Sequence, residues 1–176
     1  MIEDDQTNDL IFGIQRSVRY HDRRIAHFDV LHKITSVLTI LMSGIVILDL
    51  AGTESPRWIK VMAAVAAVLG AFDLVVGYSH RANEHRELKR QFCALERRLV
   101  KARTSDEIQE IQADRLLIEA DEPPIFRALD AQCHNDILIA KGYSPIRDRD
   151  QFHIPRWYQR WTANWFRWSN LTSNLP

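Results

Sequence analysis

Two aspartates that interrupt apolar runs are the residues with the most chemistry to offer. Asp73 breaks an uncharged run of 12 residues, Val61 to Phe72, which resumes as Leu74 to Ser79. Asp49 follows the 15 uncharged residues Ile34 to Leu48, and Leu50-Ala51-Gly52-Thr53 extends that run beyond it. An ionisable side chain is costly in hydrocarbon, so it turns toward another helix or a water-filled interior. Asp73 shares a stripe with Ala66, Gly70 and Gly77 at spacings of 4, 3 and 4. Small residues in such a stripe let membrane helices approach closely. Two roles for Asp73 stand side by side. Copies of it could ring a cation-selective or proton-passing pore in an oligomer, or it could bond to Ser43, Thr39 or a backbone group inside a hairpin. Asp49 is expected near the outer mouth.

The histidines offer a second chemistry. Ile11, Ile14, Val18, His21, Ile25, Phe28 and His32 alternate spacings of 3 and 4, as do His85, Leu88, Phe92, Leu95 and Leu99. These are coiled-coil seams. His21, His32 and His85 are therefore read as buried polar groups of a seam. There is no HExxH, no Cys/His spacing typical of zinc, no Gly-rich phosphate loop and no GxSxG. Cys133-His134-Asn135 does not have the distant Cys and His of a thiol protease. No catalytic residue, metal or cofactor is expected, and the chain is not expected to be an enzyme.

A third group is aromatic. Trp157, Trp161, Trp165 and Trp168 are spaced 4, 4 and 3, Tyr158 and Phe166 widen their face, and Arg156, Arg160 and Arg167 sit beside it. Tryptophan with arginine on one helix face suits the membrane–water interface. The alternative is an aromatic face packed on a helical bundle.

These groups need elements to hold them. Each apolar segment reaches about 20 residues if one Asp is tolerated, enough for a hydrocarbon core of about 30 Å. Two buried helices of a soluble bundle are the competing reading. Five basic residues from Arg16 to Lys33 precede the first segment and six from Arg81 to Arg98 follow the second, while the turn holds only Arg57 and Lys60. The positive-inside rule then puts both termini in the cytoplasm. The expected architecture is all-α: a two-transmembrane-helix hairpin continued as a long cytoplasmic helical hairpin, further cytoplasmic helices and an amphipathic Trp-rich C-terminal helix. The expected bounds are an N-terminal cytoplasmic helix at 1–33, spans at 34–53 and 58–79 around an external turn at 54–57, a cytoplasmic domain at 80–144, and an interfacial helix and tail at 145–176. Thr104-Ser105-Asp106-Glu107 reads as a helix N-terminus, Asp121-Glu122-Pro123-Pro124 as a break, and Lys141-Gly142 as a helix end.

Composition narrows the classes. Among 176 residues, 23 Lys plus Arg balance 23 Asp plus Glu, so the basic excess of a nucleic-acid binder is missing. Two cysteines cannot make a disulfide scaffold. The acidic start is the reverse of a secretory signal peptide.

Several motifs together carry a resemblance. Tyr20-His21-x-x-Arg24, then Phe28-Asp29-x-Leu31-His32-Lys33-x-Thr35, lead into the first span. Asp73-Leu-Val-Val-Gly-Tyr-Ser79 and Ala82-x-Glu84-His85-x-x-Leu88 leave the second. The stretch Arg115 to Asp130 and Cys133-His134-Asn135 follow. In this order, over about residues 16–141, they resemble the bacterial SLATT-type proteins, the SMODS and SLOG-associating two-transmembrane effectors. The resemblance implies membrane effectors of phage defence, triggered by a sensor or nucleotide-signalling partner to form pores or damage the membrane. No fused sensor domain is expected, and the trigger would then come from a separate protein, a ligand or the lipid. The expected function is a homo-oligomeric effector of the bacterial inner membrane, multi-pass and in contact with lipid, that forms or gates a pore. The alternative is a non-conducting membrane scaffold that organises an assembly or recruits a cytoplasmic partner.

Overall fold

Between Ile2 and Asp49 there is no proline and the only glycines are Gly13 and Gly44. A single helix of 48 residues, α1 (Ile2–Asp49), occupies the whole stretch. The computed structural model describes residues 2–49 and 56–168, with side chains over 6–45 and 56–168. The structure is all-α: α1 is followed by α2 (Arg57–Val76), α3 (Tyr78–Lys101), α4 (Ser105–Asp121), α5 (Arg127–Ala140), a 3-10 turn (Arg149–Gln151) and α6 (Trp157–Trp161). No strand occurs among the described residues.

Local chemistry sets most of these ends. Pro56, with φ −59°, precedes α2, where its fixed φ and missing N–H suit a helix start. Gly77 ends α2 in the left-handed region, φ 63° and ψ 50°, and its N–H donates to the Asp73 carbonyl at 2.9 Å. Only glycine adopts that conformation without strain. The second apolar helix therefore breaks at 77 instead of running through 79. Gly77 serves as the break between α2 and α3, not as a position in a packing stripe. Thr104 caps α4: its Oγ1 accepts from the Glu107 N–H, and the Glu107 carboxylate accepts from the Thr104 N–H at 3.2 Å. The Arg103 N–H, at 2.7 Å, and the Thr104 N–H hold the Glu107 carboxyl below the usual carboxylate range. A cap of this kind is worth about 1 kcal/mol. Thr104→Ala should speed amide exchange over the first turn of α4 about fivefold, as read by hydrogen exchange, and leave α5 unchanged.

The chain divides into two units, Met1–Arg24 with His85–Pro176, and Ile25–Glu84. The first unit has two apolar cores. One joins Leu10 and Ile14 of α1, Phe92, Leu95 and Leu99 of α3, and Ile111 of α4. These seam positions recur at 3 and 4, so they lie on one helix face and are buried together. Gly13 lets α4 approach: a Cβ there would come within 2.5 Å of the Arg115 guanidinium, which pairs with Glu119 at 2.7 Å. Arg98 of α3 pairs with Asp114 and, at 3.6 Å, with Glu110 of the acidic α4. The second core joins Tyr20, Ala128, Leu129, Cys133 and Ala163, with Phe126 and Trp168 packed against it.

The C-terminal segment departs from the expected single amphipathic helix. Regular α-helix covers only Trp157–Trp161, with turns over 162–165. Ala163 is buried in the second core and Trp168 folds back, its Nε1–H donating to the Thr162 Oγ1 at 3.0 Å. Burial of these two groups takes the chain off the helical path. The tail beyond residue 168 lies outside the described residues.

The second unit, Ile25–Glu84, is of a different kind. Among its described side chains only Phe28, Ile59, Ala66 and Ala82 are buried apolar residues. Large apolar side chains face outward instead, including Ile40 at 70% exposure and Leu74 at 85%. Two helices are long and apolar enough to cross a membrane, within Gln6–Ile45 (mean hydropathy 1.3) and Arg57–Lys101 (mean hydropathy 2.2). Residues 54 and 55 of the expected turn lie outside the described residues.

Candidate functional site

In the apolar unit, α1 carries His32 and α2 carries Asp73, and the structure brings them together. His32 Nδ1 lies 3.0 Å from Asp73 Oδ2 and 3.3 Å from Oδ1. The partner of Asp73 is thus this imidazole and neither Thr39 nor Ser43. Their side chains keep 44% and 24% exposure, so His32 is half-exposed, not the buried seam group expected. One turn further along α1, the Thr35 hydroxyl donates to the Leu31 and His32 carbonyls at 3.0 Å each, so this polar group is satisfied within its own helix. Ala66, of the small stripe, is buried. At Gly70 an added Cβ would meet nothing within 4 Å, so no neighbouring segment of the chain closes on it. Asp49 is the last residue of α1, and its side chain lies outside the described residues.

In the helical unit, His21 and His85 meet at the centre of the α1–α3 seam. Their Nδ1 atoms are 2.9 Å apart, and His21 Nε2 is 3.1 Å from Glu122 Oε1. His21 is fully buried and His85 is 4% exposed. The Phe92 ring stacks on His21 at 5.6 Å, and Tyr20 sits edge-on to both imidazoles. The Tyr20 hydroxyl accepts from the Phe126 N–H at 3.1 Å, and burial pushes its pKa up. Arg24 lies over the Phe126 ring at 4.3 Å and donates to the Asn164 carbonyl at 2.8 Å.

The proton arrangement follows from the geometry. A nitrogen–nitrogen hydrogen bond holds one proton, so one imidazole donates and the other accepts. If His21 Nε2–H donates to Glu122, His21 Nδ1 accepts from His85. The group is therefore a buried hydrogen-bonded chain, Glu122–His21–His85.

Other titratable groups line the same unit. Asp130 pairs with Arg16 at 3.2 Å, but burial outweighs that pairing and raises its pKa. His134 donates from Nε2 to the Gln151 carbonyl at 3.1 Å, its Nδ1 is buried without a partner, and burial lowers its pKa. Burial pushes the Cys133 thiol up to about 12, which keeps it protonated and unreactive, whereas Cys93 is exposed. Among the described residues no three His, Cys, Asp or Glu side chains are placed to hold a metal ion. Trp157, Trp161 and Trp165 are exposed, while Trp168 is half-buried against the second core.

Glu122 is the member of the buried chain that the sequence reading treats only as part of a helix break. Glu122 precedes Pro123, which forces an extended backbone (ψ 138°) and so turns this residue out of α4. Comparisons with protein-family models, with curated proteins and with solved structures find no match to the chain.

Proposed function

We propose that the apolar unit is a two-span hairpin of a bacterial inner membrane, with both termini in the cytoplasm. Copies assemble into a homo-oligomeric effector that opens or gates an ion path. The observation that carries this reading is the outward placement of the apolar side chains. Only 6% and 11% of the two most apolar windows are buried, whereas core helices of a soluble bundle are buried all round. Exposed apolar surface on this scale marks contact with lipid or protein. The basic flanks at Arg16–Lys33 and Arg81–Arg98 agree with a cytoplasmic location for both ends. Asp73 is the polar group of the path, and His32 holds it when the path is closed. The resemblance to SLATT-type proteins supports a role in phage defence with a separate sensor protein or nucleotide signal as trigger.

A second reading, a non-conducting scaffold, is favoured by one observation. Asp73 is already bonded to a histidine of its own chain, so it needs no aqueous pore to satisfy it. Membranes from cells that express the full chain, washed in alkaline carbonate, should keep the protein in the pellet. Vesicles reconstituted with it should then leak a trapped cation. Release by the wash overturns both readings. Retention without leakage in the presence of the triggering partner leaves the scaffold.

A further inference from the structure

The helical unit carries an aromatic surface of its own. Trp157 and Trp161 are 75% and 84% exposed, and Phe166 is 59% exposed. Trp157 and Trp161 are four residues apart in α6, with Arg160 three residues after the first, so all three share one side of that turn. Lone exposed hydrophobic residues need no explanation, but clustered aromatics at 59–84% exposure do. Charge indicates what covers them. From Gln151 to Pro176 the sequence has three arginines, Arg156, Arg160 and Arg167, and no Asp or Glu. Among the described residues no carboxylate pairs with any of the three.

A cavity of about 330 Å³ adjoins this surface between α5 and the segment leading to α6. Phe152, Pro155, Arg160, Arg23 and the Asp136 carboxylate are among the residues that line it. The Arg23 guanidinium is committed, donating to Gln132 at 3.0 Å and to Asp136 at 2.6 Å. Arg160 is the cation left for an incoming anion.

We propose that this surface docks on an anionic phospholipid bilayer. Trp157 and Trp161 enter the headgroup layer, where an indole ring has its body in an apolar zone and its N–H in a wet one. Arg156, Arg160 and Arg167 meet lipid phosphates, and the cavity beside Arg160 admits one headgroup. Each basic residue near an anionic surface adds attraction that decays within a Debye length. The proposal rests on the membrane reading of the apolar unit, but it concerns a different surface and can fail separately.

The test uses the full chain with Trp58→Phe, so that the C-terminal tryptophans are the only ones left. The protein is reconstituted in phosphatidylcholine vesicles with or without phosphatidylglycerol, and lipids brominated near the headgroup serve as quenchers. Emission should be blue-shifted and quenched in the anionic vesicles. About twofold or more of that quenching should be lost without phosphatidylglycerol, at 1 M salt, or when Arg156, Arg160 and Arg167 are all changed to Gln. Equal emission in vesicles and in detergent, or quenching indifferent to lipid charge and to the three arginines, overturns the proposal. Protection of the tryptophans that rises with protein concentration and not with lipid overturns it in favour of a second copy. The carbonate wash reports on the hairpin alone, so a chain retained in the pellet with unquenched tryptophans sinks only this proposal.

Discussion

Vesicles carrying Asp73→Asn should pass cations at least tenfold more slowly than wild type when the path is open, with assembly unchanged. A unit charge about 6 Å from a passing ion, at an effective dielectric of about 20, contributes about 3 kcal/mol to its entry, or roughly 100-fold. Asparagine keeps the size and a hydrogen-bonding group for His32 but removes the charge, so the comparison isolates electrostatics. Asp73→Leu separates a second effect. An acid inside a span costs up to about 3 kcal/mol on insertion scales, so the leucine variant of the isolated second segment should insert far more completely, while the full chain loses flux. His32→Ala should act in the opposite direction. Without the imidazole 3.0 Å from its carboxyl, Asp73 is released toward the path and the resting leak rises. Three variants with wild-type flux and normal assembly would remove Asp73 from the conducting machinery and leave the scaffold.

The helix inventory was legible because it rests on local chemistry. The capping sequence at Thr104, the proline pair after Glu122 and Gly142 after α5 each act within a few residues of themselves. The seam at spacings of 3 and 4 likewise identified Ile14, Phe92, Leu95 and Leu99, which are buried together. The pairing of polar groups was harder to see, since it depends on register between distant helices. His32 and Asp73 are 41 residues apart, and His21 and His85 are 64 apart. Both separations share a midpoint at about residue 53, between α1 and α2. Folding the sequence about that point pairs each histidine with its partner, a signal that a search for metal or catalytic spacings passes over. The C-terminal helix misled for another reason. A run of Trp at helical spacing fixes no helix when Ala163 and Trp168 gain more by packing on Tyr20 and Cys133. Gly77 shows the same limit. Its spacing from Asp73 fits a packing stripe, but its positive φ makes it a break.

The largest loss of stability is expected from His21→Leu. The substitution leaves the Glu122 side chain, 6% exposed, without its imidazole and His85 without its Nδ1 partner. Breaking a buried pair from one side costs about 3–5 kcal/mol. Glu122→Gln keeps an acceptor for His21 Nε2 and should cost about 1 kcal/mol. The measurement is hydrogen exchange of the peptides spanning α3 and α4 in the solubilised full chain, corrected for intrinsic rates. Equal protection in wild type and His21→Leu would show that the buried chain holds nothing together. His134 gives a pH dependence with a definite sign. Its pKa is lowered from 6.5, so the unfolded chain binds more protons below that pH, and its contribution is present above 6.5 and lost as pH falls through its folded value. Asp130 works the other way. Its pKa is raised from 3.8, so its contribution is complete below 3.8 and lost as pH rises through the raised value. Asp130→Asn should therefore leave stability at neutral pH equal or higher, as read by the same exchange measurement. Lower protection of Asp130→Asn than of wild type at neutral pH would reject this sign.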